Sequence, residues 1–251
     1  MIILVTGASS GFGQAIAQTL LKKGHQVIIT ARRQDKLHLI QKEFPKTCYM
    51  LAFDLTDEKA TLAALDSLPE AWRNIDVLIN NAGLALGSEL AQNCDLKDWK
   101  QMVDTNIGGL LTMTHAILPK MVERDSGQII NLGSIAGDYP YPGGNVYGGT
   151  KAFVEQFSRN LQTDLVETQV RVSNIEPGLC GGTEFSNVRF HGDDQKADAL
   201  YANVKYITAQ DIADTVVWIM ERPAHVNINR IEIMPTAQAS AGLRIYKKIN
   251  N

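Results

Sequence analysis

Cysteine is scarce in this chain, and so is any long apolar run. Cys48, Cys94 and Cys180 are odd in number, widely spaced and form no C-x-x-C pair. Neither a disulfide framework nor a zinc site is expected, and a reducing cytoplasm fits. No apolar run approaches the roughly 18 residues that cross a bilayer. The opening MIILVTGASS lacks a basic segment and has only Ile2 to Val5 as an apolar run before Thr6, so no signal peptide is expected there. A large excess of charge of either sign is also missing. A net charge of −3 gives no basic field for nucleic acid. The histidines at 25, 38, 115, 191 and 225 are scattered, so no metal site is expected. Repeats, low-complexity tracts and a Pro/Ser-rich linker are absent. With 251 residues, 45% of them hydrophobic, residues 1–251 are expected to form one domain.

What is present is alternation. Strand-like runs occupy Ile2 to Val5, Val27 to Thr30, Tyr49 to Phe53, Val77 to Asn80, Gln128 to Leu132, Val170 to Ile175 and Arg230 to Met234. Helical spacing falls between them at Gly11 to Lys23, Lys36 to Phe44, Glu58 to Leu68, Trp99 to Glu123, Tyr147 to Val166 and Ala209 to Met220. This pattern predicts an α/β fold: a Rossmann-type, doubly wound parallel sheet of about seven strands with helices on both faces. Ligands of such sheets lie beyond the carboxyl ends of the strands, and Gly7, Asn81, Ser134 and Pro177 are expected just past those ends. The stretch Glu184 to Ala209 reads as irregular and long, a candidate lid (184–209). An Ala/Gly-rich tail follows at 237–251.

The first turn, Thr6-Gly-Ala-Ser-Ser-Gly-Phe-Gly13, follows a strand and opens a helix. Glycines at 7, 11 and 13 let a pyrophosphate approach backbone N–H groups at a helix N-terminus. The spacing is G-x-x-x-G-x-G rather than the commoner G-x-G-x-x-G, and an ordinary Gly-rich turn would look similar. The second strand ends in Thr30-Ala-Arg-Arg33. No carboxylate stands there for a ribose 2′-hydroxyl, and two guanidiniums stand where a 2′-phosphate would lie. The cofactor expected is NADP. Arg32 and Arg33 read as solvated charges are the alternative.

Tyr147 and Lys151 are four residues apart at the start of a long helix, facing Ser134 at the end of a strand. The ammonium is expected to lower the phenol's pKa toward the operating pH, making an acid–base device. A Tyr and Lys on an ordinary helix surface have the same spacing. A carboxylate substrate needs a cation, and the lid segment carries Arg189, His191, Lys196 and Lys205. Arg189 is the candidate partner, with a solvated lid charge as the alternative.

Taken together, Thr6-Gly7-x-x-x-Gly11-x-Gly13, Asn80-Asn81-Ala82-Gly83, Asn106, Ser134, Tyr147-x-x-x-Lys151 and Pro177-Gly178 resemble the short-chain dehydrogenase/reductase family over the whole chain. Asn145 to Phe153, Ile175 to Phe190, and the ending around Asn227 to Asn229 and Met234-Pro235 are similar to one subgroup, the bacterial NADP-dependent 3-hydroxy acid dehydrogenases. The resemblance implies Tyr147 as acid/base and Lys151 as its partner, also bonding the nicotinamide ribose. It implies Ser134 on the substrate oxygen and Asn106 positioning a water in the proton relay. Cofactor contacts would come from Gly7, Ser9, Ser10, Gly11, Phe12 and Gly13, with Asp54 and Leu55 flanking adenine, Asn81 contacting the ribose and Gly83 nearby. Pro177, Gly178, Leu179, Thr183 and Phe185 would run along the nicotinamide, although Thr183 falls one residue later than the usual spacing. The implied reaction is oxidation of the 3-hydroxyl of L-allo-threonine, L-serine or 3-hydroxypropionate, and reduction of malonic semialdehyde. A reductase of another ketone or aldehyde, or a non-catalytic dinucleotide sensor, would share most of these features. Family members form homotetramers, and Leu243, Ile245 and Tyr246 of the tail are expected to dock on a neighbouring subunit.

Overall fold

The computed structural model describes residues 1–240. One sheet holds seven parallel strands: β1 (Ile2–Thr6), β2 (Gln26–Ala31), β3 (Cys48–Ala52), β4 (Val77–Asn80), β5 (Gly127–Leu132), β6 (Val170–Pro177) and β7 (Arg230–Ile233). Their order is β3-β2-β1-β4-β5-β6-β7. The helices are α1 (Gly11–Lys22), α2 (Gln34–Glu43), α3 (Glu58–Asp66), α4 (Leu96–Val103), α5 (Leu110–Glu123), α6 (Asn145–Asp164), α7 (Phe185–Arg189), α8 (Asp194–Ala199) and α9 (Ala209–Met220). Every expected strand is present, with ends shifted by a residue or two.

Alternation of side chains along the strands explains the two cores. Ile3 and Val5 of β1 face a cluster with Ile16 and Leu20 of α1 and Ile212 and Val216 of α9. Leu4, Leu78 and Ile129 face the opposite cluster, with Met113 and Ile117 of α5 and Leu161 of α6. Both faces of the parallel sheet are therefore covered. The chain order reverses at β1, which has β2 on one side and β4 on the other. That switch point opens the crevice in which such sheets bind ligands.

Three expectations need correction. Pro177 does not follow β6 but closes it, paired with Ile233; a residue without an N–H is tolerated at a strand terminus. The segment 184–209 is not wholly irregular, since it contains α7 and α8, the latter capped by Asp193, which accepts from Lys196 N (3.0 Å). Helices of five and six residues are too short to show a periodic pattern. The helix expected from Trp99 starts at Leu96, where Asp95 accepts from Lys97 N (2.8 Å). It then passes through a π turn, Asp104–Gly109, before continuing as α5. Leu243, Ile245 and Tyr246 lie outside the described residues. Among the described residues no helix is long and apolar enough to cross a membrane.

Candidate active site

The turn after β1 and the turn after β4 are stitched together across the switch point. Thr6 Oγ1 accepts from Asn81 N (3.0 Å) and Ala82 N (2.9 Å), while Asn81 Nδ2 donates to Thr6 O (2.8 Å) and Gly7 O (3.4 Å). Gly7 and Gly11 have φ of +67° and +55°, a region that side chains disfavour. A Cβ on Gly13 would lie 2.4 Å from both Asn81 Nδ2 and Gly7 O. The backbone thus closes to a spacing that a larger residue forbids. Ser10 precedes α1 without capping it by its side chain, which leaves first-turn N–H groups for an anion. This cradle fits a pyrophosphate. Phe12 packs on the core, so its backbone rather than its ring faces the cradle. Asn81 Nδ2, expected toward a ribose, is committed to the turn.

Arg33, after β2, reaches back to that turn. Its Nη2 donates to Ser10 Oγ (2.8 Å) and Ser9 Oγ (3.1 Å), and its Nε to Ser9 Oγ (3.3 Å). Arg32 is more exposed, with Nη1 3.9 Å from Asp54 Oδ2. Asp54 Oδ1 accepts from Thr56 N (3.0 Å) and Thr56 Oγ1 (2.8 Å). A cavity of about 470 Å³ opens here, with Arg32, Asp54, Lys97 and Lys100 in its wall. Leu55 turns its side chain onto Gly109 of the π turn, where a Cβ would meet Leu55 Cγ at 2.5 Å; it is packing, and only its main chain is left to face an adenine.

The catalytic candidates converge past β5. Ser134 follows the strand and its Oγ accepts from Ala136 N (3.1 Å). Tyr147 and Lys151 sit in the first turns of α6, 8% and 7% exposed. Lys151 Nζ donates to Leu132 O (2.7 Å) and lies 5.8 Å from the Tyr147 ring centre. Burial pulls the ammonium down to about 8. Burial also pushes the Tyr147 phenol above its ordinary value of 10, while the Ser134 hydroxyl and the Arg189 charge pull it back in part. The expected lowering of the phenol by Lys151 does not hold in this arrangement: desolvation governs both groups, and the lysine is turned to a carbonyl.

Asn106 lies in the π turn, 2% exposed. Its Oδ1 accepts from Leu84 N (2.8 Å), and its Nδ2 donates to Leu84 O (2.9 Å) and Thr150 Oγ1 (3.0 Å). A relay water would therefore meet its main chain rather than its amide. Gly83 is wedged between this amide and the lysine: a Cβ there would stand 3.2 Å from Asn106 Oδ1 and 3.5 Å from Lys151 Nζ. Asn80 serves the sheet, donating to Asn131 Oδ1 (2.9 Å) and Thr114 Oγ1 (3.1 Å).

Thr183 and the segment 184–209 bring the last candidates. Thr183 Cβ is 3.4 Å from where a Gly11 Cβ would stand. The Phe185 ring centre is 5.9 Å from that of Tyr147. Arg189 lies over Tyr141 (5.3 Å) and Tyr147 (6.0 Å), and its Nε donates to Gly87 O (3.1 Å). Gly178 N donates to Ile233 O (2.7 Å) and Leu179 N to Gln238 Oε1 (2.7 Å), which fixes the loop after Pro177.

Sequence reasoning missed Glu184, which pairs with Arg33 Nη2 (2.8 Å), although an acid between Thr183 and Phe185 was in plain view. It missed a second anchor of the segment 184–209, His191 on Asp98 (3.0 Å) and Lys196 on Ser88 Oγ (2.9 Å). It also missed a convergence of Asp138, Glu176 and Glu232. Residues from 138 to 232 carry no ligand-like spacing. The Arg230 guanidinium lies among these acids, bonded to Asp138 and Glu176, 3.1 Å from Glu155 and 3.5 Å from Glu232.

Comparison with known proteins bears on this geometry. Residues 1–194 match the model of the short chain dehydrogenase family. The chain is 60% identical over 245 residues to a "Probable NADP-dependent dehydrogenase" of Haemophilus influenzae, covering 98% of this chain and 97% of the relative. It is 54% identical over 248 residues to the "NADP-dependent 3-hydroxy acid dehydrogenase YdfG" of Escherichia coli, covering 99% and 100%. Its structure superposes with a TM-score of 0.98 on the closed form of a serine dehydrogenase complexed with NADP+, at 54% identity, covering 99% of this chain and all of that one.

Proposed function

The chain belongs to the short-chain dehydrogenase family, and from that premise we propose that it is an NADP-dependent dehydrogenase of small 3-hydroxy acids. Its substrates are L-allo-threonine, L-serine and 3-hydroxypropionate, with malonic semialdehyde in the reductive direction. The observation that carries this reading is the convergence of buried Tyr147 and Lys151 with Ser134 past β5, with the Arg189 guanidinium over the phenol ring. The relatives' NADP fits the other half of the site: the glycine cradle, Arg33 on its serines, and no carboxylate at the end of β2.

NADP held in the glycine cradle and by Arg33 would supply the hydride acceptor for oxidation, and NADPH the donor for reduction. The chain does the rest. Ser134 holds the substrate oxygen, and Tyr147 exchanges a proton with it. A phenol held above 10 keeps its proton at neutral pH, the form needed to protonate the oxygen in reduction. In oxidation that proton has to leave. Lys151, titrating near 8, is the group able to pass it on. Arg189 neutralises the substrate carboxylate, since a charge buried without a partner is costly. Oxidation at C3 leaves a 3-oxo acid, a ketone from L-allo-threonine and an aldehyde from L-serine or 3-hydroxypropionate, which can lose CO2 unaided. The same reading makes the enzyme a cytoplasmic homotetramer, in keeping with its three free thiols.

The test is the initial rate with each hydroxy acid, using NADP and NAD, for the wild type, Tyr147→Phe and Arg189→Ala. NADP-dependent turnover is expected, lowered by roughly 10²–10⁴ in Tyr147→Phe, and with a raised KM for the acid in Arg189→Ala. An unchanged KM in Arg189→Ala removes the carboxylate assignment. Turnover confined to other ketones or aldehydes moves the substrate class and leaves the Tyr147 chemistry in place.

A further inference from the structure

Three consecutive residues at the entry to the lid touch three separate parts of the site. Thr183 rests on Gly11 of the cofactor cradle, Glu184 pairs with Arg33, and Phe185 packs on Tyr147. The middle contact is the only charged one of the three. Arg33 is therefore shared: its Nη2 faces Ser9, Ser10 and Glu184, and its Nη1 has no hydrogen-bond partner among the described residues. A guanidinium has five N–H donors in a fixed fork, enough to hold an anion on the Nη1 edge while Nη2 keeps the carboxylate. Both side chains are about half exposed, so the pair can break and reform as the lid moves.

We infer that Glu184 is a positioning residue for the dehydrogenase reaction: through Arg33 it latches the lid onto the adenosine end of the cofactor site and so holds Phe185 and Arg189 against Tyr147. The inference rests on the NADP reading only for what occupies the far edge of Arg33; the latch itself is a contact within the chain. Loss of Glu184 frees the lid without touching the reacting atoms. The cost then falls on KM for the hydroxy acid and leaves kcat near its wild-type value. Loss of Arg33 does this and also removes the phosphate grip.

The experiment is a double-mutant cycle of Glu184→Gln and Arg33→Ala in the full chain, with two readouts. The first is the rate of trypsin cleavage within residues 184–209 of the cofactor-free protein, where Arg189, Lys196 and Lys205 offer sites. The second is KM for L-serine with NAD, which has no 2′-phosphate, so that Arg33 acts on the lid alone. Each single variant is expected to speed cleavage and raise KM by roughly two- to fivefold, the range of a half-exposed ion pair. The double variant should match either single one. Additive effects, or a Glu184→Gln variant cut and saturated like the wild type, overturn the latch. The NADP reading is judged separately, by whether Arg33→Ala raises KM for NADP while sparing that for NAD. Either can fail with the other standing.

Discussion

Lys151, proposed as part of the chemistry, sits in the fold at a cost. Its ammonium is buried with a single carbonyl partner, and its pKa falls from 10.5 to about 8. The sign follows from proton binding: between about 8 and 10.5 the unfolded chain holds a proton on this lysine that the folded chain has released. Stability contributed through Lys151 therefore rises with pH across that window, by up to about 3 kcal/mol. Below pH 8 the full penalty is present. Urea unfolding of wild type and Lys151→Met from pH 7 to 10.5 is expected to show the wild type gaining on the variant as pH rises. Parallel curves would mean that the folded chain holds this proton as tightly as the unfolded one. Tyr147 lies in the same desolvated pocket and moves the other way, since burial disfavours whichever form is charged.

At the scale of elements, two irregularities position the site. The first is the strand-to-helix turn at Gly7–Gly13, where Asn81 reaches across from the end of β4. In Gly13→Ala the new Cβ meets two atoms at 2.4 Å, one of them backbone, so the turn has to open. Misplacement of that order costs about 100-fold in kcat/KM, and the loss is expected to fall chiefly on NADP binding, measured by quenching of intrinsic fluorescence. A variant binding NADP like the wild type would show that the turn relaxes without consequence. The second irregularity is the π turn at Asp104–Gly109. Such turns cluster at functional sites, and this one carries Asn106, whose amide clamps the Leu84 backbone beside Gly83 and Lys151. Helical spacing continues on either side of the π turn, which is why the stretch from Trp99 to Glu123 reads as one helix.

For the whole molecule, the far end of the sheet is tied by Arg230. This one guanidinium joins Asp138, Glu155, Glu176 and Glu232, from the loop after β5, from α6, from β6 and from β7. Glu176 is 1% exposed. Arg230→Met leaves that carboxylate without its cation, and stability is expected to fall by on the order of 3 kcal/mol, read as a lower urea midpoint. Adding Glu176→Gln should return much of the loss, because the unpaired charge and not the missing contact dominates. If the double variant is weaker still, Arg230 acts by bridging elements and not by neutralising Glu176. The cluster lies beside the loop after Ser134, so activity is a useful second reading of the same variants.

The sequence by itself determined the sheet, its seven strands, the two-sided core and the residues past the strand ends. Apolar periodicity is local, and burial on both faces of a parallel strand leaves an unbroken apolar run. It also carried the glycine turn, the arginine pair and the Tyr147–Lys151 spacing, because each is set within a few residues. Only the tertiary structure decided the rest. Glu184 and Arg33 are 151 positions apart in sequence and meet because the lid folds back over the first turn. Burial, which no local pattern reports, decides that Lys151 is drawn down and Tyr147 pushed up. The same holds for Leu55 and the Asn81 amide: their types suit a cofactor, but the packing between β1, β4 and the π turn commits both to the scaffold.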